Sequence, residues 1–425
     1  MNKNRLLFLI SVIFFPLLLQ AQNNDYTSKV NEILQSTDGF ELEAEYNRVK
    51  KDSLPMYVSN LYEMRLAMLF DQDEKVFNLI DTLIFKYHNK LGSFFVTELI
   101  IKKANIFATD GQYAGAADYI RSNLHLVSSH DDSTYLIQRE GHYNEMRNVP
   151  APEIIRPHKD CEITYSLYTT SKGREYIVPV VINGKTYSFI YDVCAGNTFV
   201  TEKMAKDMGL QIINDDHVYG GSAGTSCKNA TIDSIVVGDI VYRHPLIQIE
   251  PVIDSKMANF GTLGNPFMKG LGSFTIYPAK HKIVFPYKTK SSHKQHNMMY
   301  GRGLYFLQAH SGKERLLFTL DSGSNTSVLL SPYYQKHKEW LDQIGIKDTI
   351  TFTEAGKRNF QEFIKLKSMP VTVGKTNVSI KNVLVFPNLH FDFFGDQQGI
   401  FGTSFFDCFQ KVTVNFKDMY VSVKK

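Results

Sequence analysis

The strongest constraint on this chain is a stretch that occurs twice. Arg315 to Ser331 reads RLLFTLDSGSNTSVLLS, and Tyr187 to Thr201 reads YSFIYDVCAGNTFVT. Each is an apolar run that stops at an acid, followed by small residues and a second apolar run. A strand of that hydrophobicity excludes a carboxylate unless the charge is hydrogen-bonded or put to use. Aligned on Asp192 and Asp321, which stand 129 positions apart (321 − 192 = 129), Phe189 matches Phe318, Ala195 matches Ser324 and Thr198 matches Ser327. The repetition continues downstream. FGTLGNPFM, from Phe260, and GIFGTSFF, from Gly399, each set two apolar or small residues before a glycine, Gly264 or Gly402, and an aromatic three positions after it. A strand-like segment then follows each: SFTIYPAKHKIVF in the first copy and KVTVNFKDMYVSV in the second. The unit is duplicated and should fold twice.

The rest of the chain divides around these repeats. From Tyr26 to Val127, segments such as YVSNLYEMRLAMLF and FFVTELIIKKANIFATDG place apolar residues at three- and four-residue spacing, the period of a helix. Ala67, Phe70 and Asp73 recur as Ala104, Phe107 and Asp110, each 37 positions later (104 − 67 = 37). ANIFATDGQYAGAADYI is similar to a tetratricopeptide-type helix pair, and a plain helical bundle describes the segment equally well. This part carries no clustered polar chemistry, which leaves it packing or contact with a protein partner. Val149-Pro-Ala-Pro-Glu153 reads as a linker, because prolines stop helices. Beyond it come short alternating segments, among them REYIVPVVING and KTYSFIYDV, punctuated by turn residues to the C-terminus: an all-β barrel or sandwich region.

The doubled acid loops and their downstream glycines resemble the aspartic proteases of the retropepsin and pepsin type. In that family each of two lobes supplies an apolar–apolar–Asp–Thr/Ser–Gly–Ala/Ser loop and a later apolar–apolar–Gly segment that packs beneath it. The likeness runs from Cys161 to Lys425, as two lobes in one chain. It implies an α+β multi-domain architecture: an N-terminal helical bundle or repeat, then a bilobed all-β pepsin-like region. The expected division is a signal peptide over 1–21, a tetratricopeptide-like helical domain over 26–148, a first lobe over 158–290 and a second over 298–425.

The resemblance also implies a chemistry. Two carboxyl groups brought close cannot both ionise cheaply, so they share a proton. The charged one can act as general base on a water held between them, while the protonated one polarises a peptide carbonyl. Asp192 and Asp321 are the expected pair. Ser322 and Gly323 complete the second loop as the family has it. The first loop departs from the pattern: Val193 has no hydroxyl with which to tie the loops together, and Cys194 stands where the family has glycine, so its side chain threatens to crowd the acids. Gly264 and Gly402 are the expected packing glycines. In HVYGGSAGTSCKN, the residues Tyr219, Gly220, Gly221 and Gly224 lie where the family has a flap over the peptide; an ordinary surface turn is the equal alternative.

The leading expectation is therefore an exported aspartic endopeptidase that hydrolyses peptide bonds with activated water and needs no metal or cofactor. Its substrate is a peptide or protein, and a protein partner through the helical region is conceivable. The alternative from another class is a peptide-binding or assembly protein that keeps the bilobed fold without catalysis, since the first loop is altered. A third reading makes the helices the functional surface and the lobes their structural partner. Export is the expectation from the start of the chain, with an uncleaved membrane anchor as the alternative. Lys3 and Arg5 precede an apolar stretch from Leu6 to Leu19 and a small-residue end at Ala21, the layout of a leader for a periplasmic or secreted protein. The formal charge of +4 falls to +2 when Lys3 and Arg5 leave with the leader, so nothing calls for nucleic acid. The histidines are scattered and show no zinc spacing. Cys161, Cys194, Cys227 and Cys408 allow three disulfide pairings or none.

Overall fold

The computed structural model describes residues 26–49, 54–170, 173–218, 226–250, 259–289, 295–354, 357–390 and 397–425. The expected leader and the loop residues Tyr219, Gly220, Gly221 and Gly224 lie outside them. An N-terminal set of helices is followed by two β lobes.

The described helices of the first part are Tyr26–Gln35, Gly39–Arg48, Met56–Leu69, Asp73–Thr109, Tyr113–Asn123 and His130–Glu145. The second starts where it does because the Asp38 carboxylate accepts from Phe40 N and Glu41 N, capping two free donors. The long fourth helix breaks at Gly92, whose φ of 76° suits a residue with no Cβ. The break turns the segment into two successive helical hairpins with a common interior of Leu61, Met64, Ile80, Ile84, Ile100, Ala104 and Ala117.

The hairpins share one reversal, and it corrects the register expected from sequence. Asp71 (φ 54°) and Gly111 (φ 71°) each take the left-handed conformation after a helix. Gln72 N then bonds Ala67 O at 2.8 Å, and Gln112 N bonds Phe107 O at 2.8 Å. The structural repeat is thus 40 residues (111 − 71 = 40), not 37. The alanine echo reflects small residues at close helix contacts, whereas the reversal is set by where the backbone turns left-handed.

The proline-rich linker is shorter than expected. Glu153–Ile155 is already a strand and pairs antiparallel with Ile240–Arg243. A proline just ahead of an edge strand removes no ladder bond, so Pro152 does not forbid it.

The two lobes repeat one plan. In the first, Gly173–Ile182 and Lys185–Tyr191 form a hairpin, and the second strand lies parallel to Gly261–Leu263. In the second, Leu304–Ser311 and Glu314–Leu320 form the hairpin, and the latter lies parallel to Gly399–Phe401. Thr198–Thr201 pairs parallel with Ile247–Glu250 in the first lobe, as Val328–Leu329 does with Thr376–Val385 in the second. A separate sheet joins them: Ser273–Tyr277 of the first copy pairs antiparallel with Lys411–Asn415 of the second. Phe274, Ile276, Val412 and Val414 are all buried there, so both lobes share one core. This is a bilobed arrangement built from the duplicated unit.

The helices dock on the lobes through a buried ionic cluster. Lys269 Nζ lies 2.8 Å from Asp71 and 3.0 Å from Asp73, and the Tyr305 hydroxyl donates to Asp71 at 3.0 Å. Phe70 stacks on His296 with ring centroids 4.2 Å apart, and Arg315 pairs with Asp38 and with Glu41. None of these contacts involves the two acid loops.

Candidate active site

Each acid follows the last residue of its strand and is fixed from below by the downstream glycine segment. Asp192 N donates to Leu263 O at 3.1 Å, and Asp321 N donates to Phe401 O at 3.0 Å. Asn265 N reaches Ala195 O at 2.8 Å, and Thr403 N reaches Ser324 O at 2.9 Å. Gly264 N donates to Thr198 Oγ1 at 3.3 Å, while Gly402 N donates to Ser327 Oγ at 3.2 Å. The matched Thr and Ser in the two loops thus do the same work. Both glycines are required by close approach. A Cβ on Gly264 would sit 2.1 Å from Asn197 O, and one on Gly402 2.1 Å from Thr326 O.

This scaffold brings the two acid loops together: the Asp192 carboxyl lies against Gly323, two residues on from Asp321, close enough for its charge to act on Asp321. The backbone amide of Cys194 serves Asp192 at 2.8 Å. Gly323 N and Ser324 N serve Asp321 at 3.0 and 2.9 Å. Burial pushes both acids above the ordinary carboxylate range, and the charge of Asp192 drives Asp321 further up. Shifts in this direction are those expected of two carboxyls that share a proton.

The supporting residues are lopsided, as the first loop's sequence suggests. Ser322 is fully buried; its hydroxyl accepts from Val193 N at 3.0 Å and donates to Tyr191 O at 2.7 Å. Val193, equally buried, returns nothing. One half of the reciprocal tie is present.

Cys194 does not crowd the acids as expected. Its amide keeps the bond to Asp192, its φ is not left-handed, and its thiol lies within reach of the charges of both acids. Burial and the two neighbouring carboxyls hold that thiol well above its ordinary range, so it stays protonated. The glycine of the second loop has no such room. A Cβ on Gly323 would fall 2.4 Å from Asp192 Cγ. The four cysteines are all free thiols.

The strands flanking the expected flap, Gln211–Val218 and Ser226–Thr231, form an antiparallel hairpin that ends at Val218 paired with Ser226. In the second lobe Ile346–Glu354 and Lys357–Val373 form the matching hairpin. Among the described residues, no cluster of three or more His, Cys, Asp or Glu side chains is arranged to hold a metal ion.

One carboxyl group at the site escaped sequence reasoning. Glu175 lies on Gly173–Ile182 and is 7% exposed. Ile177 pairs with Ile190, so two residues further along the ladder Glu175 faces Asp192. Burial, and then the charge of Asp192, push it up to about 7. The available signal was weak: Glu175 opens the apolar run YIVPVVI after Gly173 and Arg174, where an acid reads as an ordinary exposed strand start. It went unread because it does not recur: the equivalent ladder position of the second lobe, opposite Asp321, is Leu304.

Comparison with known proteins fits this geometry. A family described as "Aspartyl protease" matches residues 178–267, which cover Asp192 and Gly264. Among solved structures, an aspartic proteinase from Irpex lacteus is similar at 12% identity, with a TM-score of 0.41, over 63% of this chain and 97% of that one. No curated protein matches by sequence. The family match in the first lobe and the doubled architecture support an aspartic protease family for this chain.

Proposed function

We propose that the protein is an exported aspartic-type endopeptidase with Asp192 and Asp321 as its catalytic pair. The observation that carries this reading is the meeting of two equivalently anchored loops, with the Asp192 carboxyl packed against Gly323 of the Asp321 loop. A water between them loses a proton to the ionised carboxylate as its oxygen bonds to the scissile carbonyl carbon. The protonated carboxyl hydrogen-bonds the carbonyl oxygen. As the tetrahedral species collapses, the C–N bond breaks and the departing nitrogen takes a proton from the pair. An extended peptide fits such a cleft by adding as a strand between the lobes and the hairpins above them. The leader over 1–21, the domain limits and the flap role of Tyr219, Gly220, Gly221 and Gly224 belong to the same proposal.

The half-lost tie at Val193 favours a second reading, a peptide-binding protein without turnover. The test is incubation of the mature protein with a diverse peptide library between pH 3 and 8. Asp192→Asn and Asp321→Asn variants serve as controls. Cleavage by the parent that disappears in both variants supports the peptidase. Binding without cleavage selects the second reading, and cleavage that survives either change overturns the pair. N-terminal sequencing of the exported protein tests the leader.

A further inference from the structure

We propose that Glu175 is a specificity-determining residue of the cleft, forming with Tyr168 a subsite for a cationic side chain of a bound peptide. The proposal rests on the reading of the cleft as a peptide site, not on turnover there.

Three neighbouring strands place the residues in one row. Tyr168 pairs with Glu175 across the hairpin of Ser166–Thr170 with Gly173–Ile182; the ladder with Lys185–Tyr191 closes at Ile177 and Ile190, and its register continued by two residues sets Asp192 beside Glu175, whose carboxyl feels its charge. Residues opposite one another on a sheet face have Cβ atoms about 5 Å apart. The Tyr168 ring is half-buried and packs on Phe260, with centroids 5.0 Å apart. An aromatic pair thus stands on one side of Glu175 and the acid loop on the other.

Glu175 is poorly served where it sits. Its Oε2 is buried and meets no hydrogen-bond partner among the described residues. Its charged neighbour across the ladder is Asp192, which carries the same sign. Arg174, next in the chain, is on the opposite side of the pleat and pairs with Asp407 at 2.8 Å. A buried carboxylate without a donor, beside a second acid, is expensive to keep. A lysine or arginine side chain laid over Tyr168 would supply the missing donor and cancel the excess charge, with the aromatic face adding attraction. The second lobe, with Leu304 in the equivalent place, offers no such pocket, so the preference belongs to one side of the scissile bond.

The subsite should respond to pH. The groups facing Glu175 are Tyr168 from the preceding strand and Asp192 from the acid loop. Asp407 of the second lobe lies on the other face of the strand, engaged by Arg174 and by the Tyr176 hydroxyl at 2.9 Å. With Glu175 pushed up to about 7, its charge, and so its hold on a cation, grows as pH rises through neutrality.

The experiment measures binding of octapeptides whose central amide is replaced by an uncleavable hydroxyethylene link. Each carries lysine or norleucine in turn at one position. In the parent at pH 8, one position should favour lysine by about tenfold. The gap should shrink at pH 5.5. In Glu175→Gln, and in Glu175→Leu, which copies Leu304, the lysine and norleucine peptides should bind alike; thermal melting checks that each variant is folded. A parent with no lysine preference at any position, or with no binding at all, overturns the subsite. So does a preference that survives both variants. Hydrolysis by a parent lacking the preference would leave the peptidase reading standing, and a lysine preference without hydrolysis would leave the subsite standing.

Discussion

The Ser322 hydroxyl bonds across to the first loop twice, taking the amide of Val193 at 3.0 Å and giving to Tyr191 O at 2.7 Å. Val193 offers it no hydroxyl in return. Ser322→Ala should remove both bonds and leave a buried carbonyl and amide unpaired, lowering stability by about 2 kcal/mol. Val193→Thr should restore the reciprocal tie, adding about 1 kcal/mol if its hydroxyl finds the second loop. Chemical denaturation reads both, and a severalfold rise in kcat for Val193→Thr would show that the tie also orders the acids.

The neighbouring pair Cys194 and Gly323 should tolerate change unequally. Cys194→Ala keeps the amide that serves Asp192 and should remain folded. Gly323→Ala puts a methyl 2.4 Å from Asp192 Cγ and must displace the carboxyl. Misplacement on that scale should cost on the order of 100-fold in kcat/KM. Equal losses from the two substitutions would contradict the observed packing.

Gly264 and Gly402 make a matched test of the duplication. Alanine at either site collides with a loop carbonyl 2.1 Å away, so each change should cost about 3 kcal/mol. Denaturation curves should show the two losses to be similar, because the collisions are equivalent in the two lobes.

Stability should fall as pH rises through the weakly acidic range. Glu175 ionises near 4.5 when unfolded and near 7 when folded, so the folded state binds its proton more tightly. That contribution is full below 4.5 and is lost as pH climbs to about 7. The acid pair acts in the same direction. Glu175→Gln should therefore gain Tm relative to the parent between pH 4.5 and 7. A difference that stays constant over that window would refute the assignment.

The helical region should depend on Lys269. Asp71 is buried deeply enough that its pKa is raised despite the ammonium beside it, while Lys269 is raised by its two aspartates once their attraction outweighs its burial. Lys269→Met strands Asp71 and should cost about 3 kcal/mol, with part of the loss recovered in Lys269→Met/Asp71→Asn. Unfolding monitored by circular dichroism checks both.

Much of the site was legible in the chain because it was written twice. Asp192 and Asp321 stood out from their apolar runs, and Thr198 with Ser327 and Gly264 with Gly402 repeated around them at matching places. Glu175 was not legible, because it stands among polar residues at the start of its strand and interrupts no apolar run. It has no second copy, and its meaning depends on facing Asp192, which is a matter of strand register. The helical repeat was visible but displaced by three residues, because side-chain size echoes helix contacts while the turn at Asp71 and Gly111 is a backbone event.

By itself, then, the sequence determined the helical and β halves, the duplication and the identity of the two acids, since periodicity and repetition are local properties of the chain. Only the tertiary structure decided that the acid loops meet, that Ser322 ties them with no hydroxyl returned from Val193, that Cys194 is accommodated where Gly323 is indispensable, and that a third carboxyl lies beside them. Those are relations between residues far apart in the chain, set by strand register and by the space left when two lobes close on one core.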